Sequence, residues 1–274
     1  MSIINAILLG IIQGLTEFLP VSSSGHLVLF QKIFSVEEPA LLFDTMLHVG
    51  TLVAVFAVLW KDIWAILKKP IQPLTAYLIL ATIPTVIAAL VFRKPLERAF
   101  ETGEFLGFCF LITSALLATA ELLSKRQGAT LKKHGEMNWL DSLVIGVMQA
   151  IAVIPGISRS GATLSGALSR GLNRDFAARF SFLMSIPAIL GAAVFHLKDL
   201  VKDSAATEAA EAANSGIGAG AMVAGTLAAA IVGFFAVRLM LKIIREKSLW
   251  GFAIYTGILG LLVLIDQFAV HLVF

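Results

Sequence analysis

Charge is scarce in this chain. Asp, Glu, Lys and Arg make up 14% of its 274 residues, against 58% hydrophobic. Soluble domains carry about a quarter charged residues, so a water-surrounded globule is excluded and an integral membrane protein is implied. The mean hydropathy of +0.90 agrees. A net charge of +3 is too small to argue for nucleic acid. The one cysteine, Cys109, lies in an apolar run and cannot form an intrachain disulfide, so a buried structural thiol is expected. No basic residue precedes Lys32, and no A-x-A-like site follows the first apolar run. The N-terminus is therefore read as part of the mature fold, not as a signal peptide.

Apolar length is what the chain has in plenty. A spanning helix needs about 20 apolar residues, and six segments qualify, at roughly 42–60, 74–92, 105–124, 178–197, 217–240 and 250–270. Two further apolar regions, 3–34 and 139–172, are each interrupted halfway by Pro, Gly and Ser. Irregular backbone at membrane depth is tolerated only inside protein or beside a watery cavity. Both regions are expected to be re-entrant helical hairpins.

The basic residues orient the spans. If the loops after segments one, three and five and the turn near residue 172 are cytoplasmic, that side holds fourteen of the 21 basic residues, Lys61, Lys125, Arg174 and Arg245 among them. The other side holds Lys32, Arg93, Lys94, Arg98, Lys198 and Lys202, with Arg159 set apart. That bias follows the positive-inside rule, and it makes the two hairpins enter from opposite faces. The halves also repeat at an offset of 136: Gly10 with Gly146, Gln13 with Gln149, Ser22 with Ser158, Ser24 with Ser160 and Gly25 with Gly161. The expected fold is an all-α polytopic membrane protein with six transmembrane helices, two opposed re-entrant hairpins and an inverted-topology repeat. Residues 1–274 form one membrane domain, with repeats at about 1–124 and 139–270. The small, acidic stretch 204–220 reads as an external loop without chemistry.

Chemistry concentrates in the interruptions. The first, Gln13 to His26, reads QGLTEFLPVSSSGH; the second, Pro155 to Thr163, reads PGISRSGAT. Ionisable groups at membrane depth are costly and mark function. Gln13 and Glu17 share a helix face, Pro20 ends that helix, and serine caps the next. Two helix N-termini converging on Arg159 make an anion site, because free N–H groups and the helix dipole favour phosphate. Ser23 and His26 fall within one turn, close enough for a base to serve a hydroxyl. Glu17 can orient the histidine or ligate a divalent cation through oxygen. Serine and glycine also mark close helix packing, and a lone histidine or glutamate is often structural. His48, Glu121, His196, Asp266 and His271 read as mainly structural, with Asp44 and His48 one turn apart as a supporting layer.

GLTEFLPVSSSGH and PGISRSGAT resemble the two signature motifs of the undecaprenyl-diphosphate phosphatases, the bacitracin-resistance family, and the resemblance extends over essentially the whole chain. It implies hydrolysis of a C55 isoprenyl diphosphate to the monophosphate and inorganic phosphate, which recycles the lipid carrier of cell-wall synthesis. By position it implies Ser23 as nucleophile, His26 as base, Arg159 as phosphate-binding arginine and Glu17 as a further catalytic group and metal ligand. Phosphate binding would involve Gln13, Ser22, Ser24, Gly25, Ser158, Ser160, Gly161 and Thr163. Where the family usually has glutamate, this chain has Gln13, which leaves Glu17 as the one carboxylate. The resemblance also implies a bacterial plasma-membrane location, an outward-facing site, stimulation by a divalent cation (Mg2+ or Ca2+) and a homodimer. Inverted repeats with broken helices equally suit a lipid transporter or flippase, which is the rival reading.

Overall fold

A computed structural model describes residues 1–36, 41–126, 132, 134–203 and 218–274. The expected external loop lies largely outside the described residues. Helices dominate: α1 (Ile3–Thr16), α2 (Ser23–Ile33), α3 (Leu41–Val58), α4 (Trp60–Lys68), α5 (Pro73–Val91), α6 (Arg93–Thr102), α7 (Leu106–Arg126), α8 (Trp139–Ile151), α9 (Arg159–Ser169), α10 (Arg174–Asp203), α11 (Ala219–Glu246) and α12 (Trp250–Ile265). Among the described residues, five helices are long and apolar enough to cross a membrane, and α3 with α4 makes a sixth candidate bent by 77°.

Caps explain where the interrupted regions start and stop. The Ser2 hydroxyl accepts the Asn5 N–H (3.1 Å) at the head of α1. Asn138 and Asp141 form a reciprocal capping box on α8. Ser22 caps α2 by accepting from Gly25 N–H, and Ser158 caps α9 by accepting from Gly161 N–H. Each interrupted region is thus two helices joined by a turn, at 17–22 and 152–158.

Each hairpin lies against one long helix. The first helix of each runs parallel to its neighbour at backbone contact. A Cβ on Gly10 would come 2.2 Å from the Gly225 carbonyl oxygen of α11, and one on Gly146 would come 2.4 Å from the Ala81 carbonyl oxygen of α5. Neither position has room for any other side chain. Ser142 Oγ donates to Tyr77 O (2.6 Å) and Gln149 Nε2 to Thr85 Oγ1 (3.0 Å), which continues the α8–α5 seam. Helices α7 and α12 pack antiparallel, with Gly107 against Gly260 and Ser114 Oγ donating to Ala253 O (2.7 Å).

Ion pairs gather at one end of the bundle. Glu121 accepts from Arg174 Nη2 (2.7 Å) and Leu249 N–H (3.1 Å). Asp141 accepts from Lys132 Nζ and Arg170 Nε (2.9 and 2.8 Å), and Asp62 accepts from Arg179 Nη1 (2.9 Å). The opposite end carries Lys32 over the Phe274 ring (4.9 Å) and Gln267 Nε2 donating to Gly103 O (2.8 Å). α1 and α2 both open toward that end, and α8 and α9 toward the ion-paired one. Inside, Phe18, Leu59, Leu117, Phe180 and Met240 are buried. Outside, large apolar residues such as Ile83, Ile87, Phe235 and Leu261 are exposed, as lipid contact requires.

Candidate active site

The two hairpin turns touch. Ser24 Oγ accepts the Gly156 N–H (3.2 Å), and Ser160 Oγ donates to Leu19 O (2.9 Å). Gly156 takes φ +92°, and a Cβ there would lie 2.7 Å from that of the buried Cys109, so glycine is required on both counts. Ser22 takes φ +72°, a left-handed conformation that is unfavourable for serine. That local strain sits where the chain must turn from Pro20 into α2.

Glu17 is the centre of the contact. Its Oε1 accepts from Arg159 Nη2 (2.5 Å), which joins the hairpins by a buried ion pair. Its Oε2 accepts from Ser23 Oγ (2.5 Å) and from Gln13 Nε2 (2.9 Å). The same Gln13 nitrogen lies 2.8 Å from His48 Nδ1 on α3. Carboxylate, hydroxyl, amide and guanidinium therefore form one connected network. Arg159 Nη1 is buried without a protein partner. A buried guanidinium N–H left open is costly, and a phosphate oxygen is the acceptor that suits it.

The remaining expected site residues are placed as follows. His26 Nδ1 lies 2.7 Å from Ser22 O, and His26 Nε2 lies 2.7 Å from Tyr255 OH, with the two rings stacked at 5.8 Å. No hydrogen bond joins His26 to Ser23 among the described residues; the acceptor for Ser23 is Glu17. Gly25 lies against the Phe110 ring, where a Cβ would come within 2.8 Å. Ser158 and Ser160 bond each other (3.2 Å), and Thr163 Oγ1 bonds Ser181 Oγ (2.5 Å), so these hydroxyls brace α9. Asp44 accepts from Gln31 Nε2 (2.7 Å). Tyr255 is a lone residue on a distant span and carries no local signal, whereas His48 meets Gln13 from the supporting position expected of it beside Asp44.

Glu17 accepts two hydrogen bonds on Oε2 and one on Oε1, which fills three of its roughly four lone-pair sites. Arg159, Ser23 and Gln13 occupy its oxygens, and a divalent cation would stand against the guanidinium. No cluster of three or more His, Cys, Asp or Glu residues is poised to hold an ion among the described residues. The described residues alone do not complete a coordination shell for such an ion, and no step below is routed through one.

A family model described as bacitracin resistance protein BacA matches residues 6–262. The chain belongs to the BacA family. Among its curated relatives is an undecaprenyl-diphosphatase of Carboxydothermus hydrogenoformans, 47% identical over 98% of this chain and 99% of the relative. Undecaprenyl-diphosphatase 4 of Bacillus thuringiensis subsp. konkukian is 42% identical over 98% of both chains. An undecaprenyl-diphosphatase of Halothermothrix orenii is 40% identical over 97% and 98%. The matched residues include both hairpin turns.

Proposed function

We infer that this chain hydrolyses undecaprenyl diphosphate to undecaprenyl phosphate and inorganic phosphate. The single observation that carries the reading is the Ser23–Glu17–Arg159 network at the meeting of two capped helix N-termini. It combines a hydroxyl nucleophile, an acceptor for its proton and a cation for phosphate. The names of the relatives point to the same reaction and give carriage of lipid no support.

In the mechanism we propose, the terminal phosphate meets Arg159 Nη1 and the N-terminal turns of α2 and α9. Ser23 Oγ attacks the terminal phosphorus and passes its proton to Glu17. The bond from that phosphorus to the bridging oxygen breaks, and the isoprenyl monophosphate leaves. Water then attacks the phosphoserine phosphorus; as the P–O bond to Ser23 breaks, Glu17 returns its proton to Ser23 Oγ, and inorganic phosphate leaves with the water oxygen. Arg159 holds the developing charge. His26, held by Ser22 and Tyr255, fixes the first turn of α2; its ring would have to leave Tyr255 to serve Ser23 directly.

The proposed membrane arrangement has six spans and two re-entrant hairpins entering from opposite faces of a bacterial plasma membrane, as an inverted repeat. The opposite openings of the hairpins and the matched Gly10 and Gly146 contacts support it. The ion-paired end is cytoplasmic under the positive-inside rule, and the site opens outward. A homodimer belongs to this proposal only through the family resemblance.

The test uses purified protein in detergent, where carriage across a bilayer is impossible, with substrate labelled in the terminal phosphate. Phosphate release by the parent is expected, and its absence would return the transporter reading. Rapid acid quench should trap label on the protein, and Ser23→Ala should abolish both label and turnover. Turnover of a few per cent in Ser23→Ala, with no trapped label in the parent, would replace the covalent route by direct attack of water.

A further inference from the structure

Among the described residues His48 is the histidine that reaches the Glu17 network, and the proposed mechanism gives it no task. It stands on α3, packed where α1 delivers Gln13 and Glu17. The Gln13 side chain is fully buried, and the geometry decides its orientation. A carboxylate only accepts hydrogen bonds, so the Gln13 atom 2.9 Å from Glu17 Oε2 must be the amide nitrogen. The same nitrogen is 2.8 Å from His48 Nδ1, which accepts its second hydrogen in the tautomer with Nδ1 unprotonated; Nδ1 also lies 3.4 Å from Glu17 Oε2. Both amide hydrogens are used, while Gln13 Oε1 is left buried with no partner. An orphaned buried carbonyl is unfavourable, so the amide holds this orientation only because two acceptors together demand it.

We propose that His48 is a positioning residue of the reaction: by accepting from Gln13, it locks the amide that holds Glu17 Oε2 in line with Ser23. This rests on the reading of Glu17 as the acceptor of the Ser23 proton. Without His48 Nδ1, the amide is free to rotate and relieve its orphaned oxygen. Glu17 then loses a fixed donor on the oxygen that faces Ser23. Arg159 is held through the other carboxylate oxygen, Oε1, so its proposed phosphate contact through Nη1 is left intact. Loss of His48 should therefore lower kcat and leave KM nearly unchanged.

The experiment measures phosphate release by the purified full chain in detergent, with kcat and KM separated. His48→Leu removes the acceptor; kcat should fall about three- to tenfold, the worth of one neutral hydrogen bond. His48→Asn places a carbonyl oxygen near the lost Nδ1 and should recover most of that fall. In a Gln13→Leu background, His48→Leu should have no further effect, because the two residues act as one unit. An Asn variant as slow as the Leu variant would overturn the proposal. So would an undiminished His48→Leu effect in the Gln13→Leu background, or a change confined to KM. If Gln13→Leu does not fold, the comparison of Asn with Leu at position 48 decides. Absence of phosphate release from the parent would instead refute the phosphatase reading itself.

Discussion

Arg159 offers two guanidinium nitrogens to the site and spends only one of them on protein. Nη2 holds Glu17, and Nη1 is buried and open. Lysine would keep the charge but lose the planar fork, so its single nitrogen could not occupy the positions of both Nη1 and Nη2. Arg159→Lys should lower turnover by about ten- to a hundredfold, the worth of a charged hydrogen bond of roughly 1.5–3 kcal/mol, with the thermal midpoint almost unchanged. Steady-state phosphate release on the purified variant checks this, and near-parent kinetics would mean that the arginine acts as a point charge. At this scale the sequence was legible wherever polarity interrupted an apolar run. Glu17, Ser23 and Arg159 stood out because burying them without a partner is so costly. Ser23 and His26 are close in sequence but are turned to different partners, Glu17 and Tyr255. Spacing gave their proximity and not their direction.

Helix pairs show what glycine and caps contribute. Gly10 and Gly146 let two parallel helices approach until backbone meets backbone. Gly10→Ala would put a methyl group 2.2 Å from the Gly225 oxygen. The backbones must then separate, at a cost of about 1–3 kcal/mol. The thermal midpoint in detergent should fall by several degrees, and activity should fall with it, because α1 carries Gln13 and leads directly into Glu17. A second element-level effect concerns Asp141, fully buried and shared by Lys132 and Arg170. Asp141→Asn replaces a carboxylate between two cations by a neutral amide and should cost about 2 kcal/mol or more. Thermal unfolding should register that loss, while KM in the surviving folded fraction should hold, since Asp141 is remote from the hairpin turns. The end of α3 was legible, but the helix α4 that follows it was not. Residues 42–60 read as one span, and the axis turns by 77° at Leu59, where that span ends. Lys61 and Asp62 follow at once, and the Asp62–Arg179 pair ties the next helix to α10. The pairing of α4 with α10 joins residues more than a hundred apart, which no local pattern encodes.

At the scale of the whole molecule, the direction of the chain and the distribution of charge describe the same axis. The end that carries Lys132, Arg170, Arg174 and Arg179 is the end from which α8 and α9 enter, and the end with Lys32 and Phe274 is the mouth of α1 and α2. Hydropathy and loop charge could propose this axis because both are sums over many residues. They could not say which serine or histidine faces the acid at its centre. If the ion-paired end is cytoplasmic, Lys69 and Lys94, both exposed and at opposite ends of α5, must lie on opposite sides of the membrane. The check is a pair of single-cysteine chains, Lys69→Cys and Lys94→Cys, each in a Cys109→Ala background, treated in intact cells with a membrane-impermeant thiol reagent. Lys94→Cys should react in intact cells, and Lys69→Cys only after the membrane is opened. Neither substitution touches the Glu17 network, so phosphate release should persist and certify the fold of each variant. Labelling of both cysteines from outside would break the opposed-hairpin arrangement, because α5 would then not cross the membrane. Reversed labelling would keep the hairpins opposed but turn the molecule over, against its own distribution of charge.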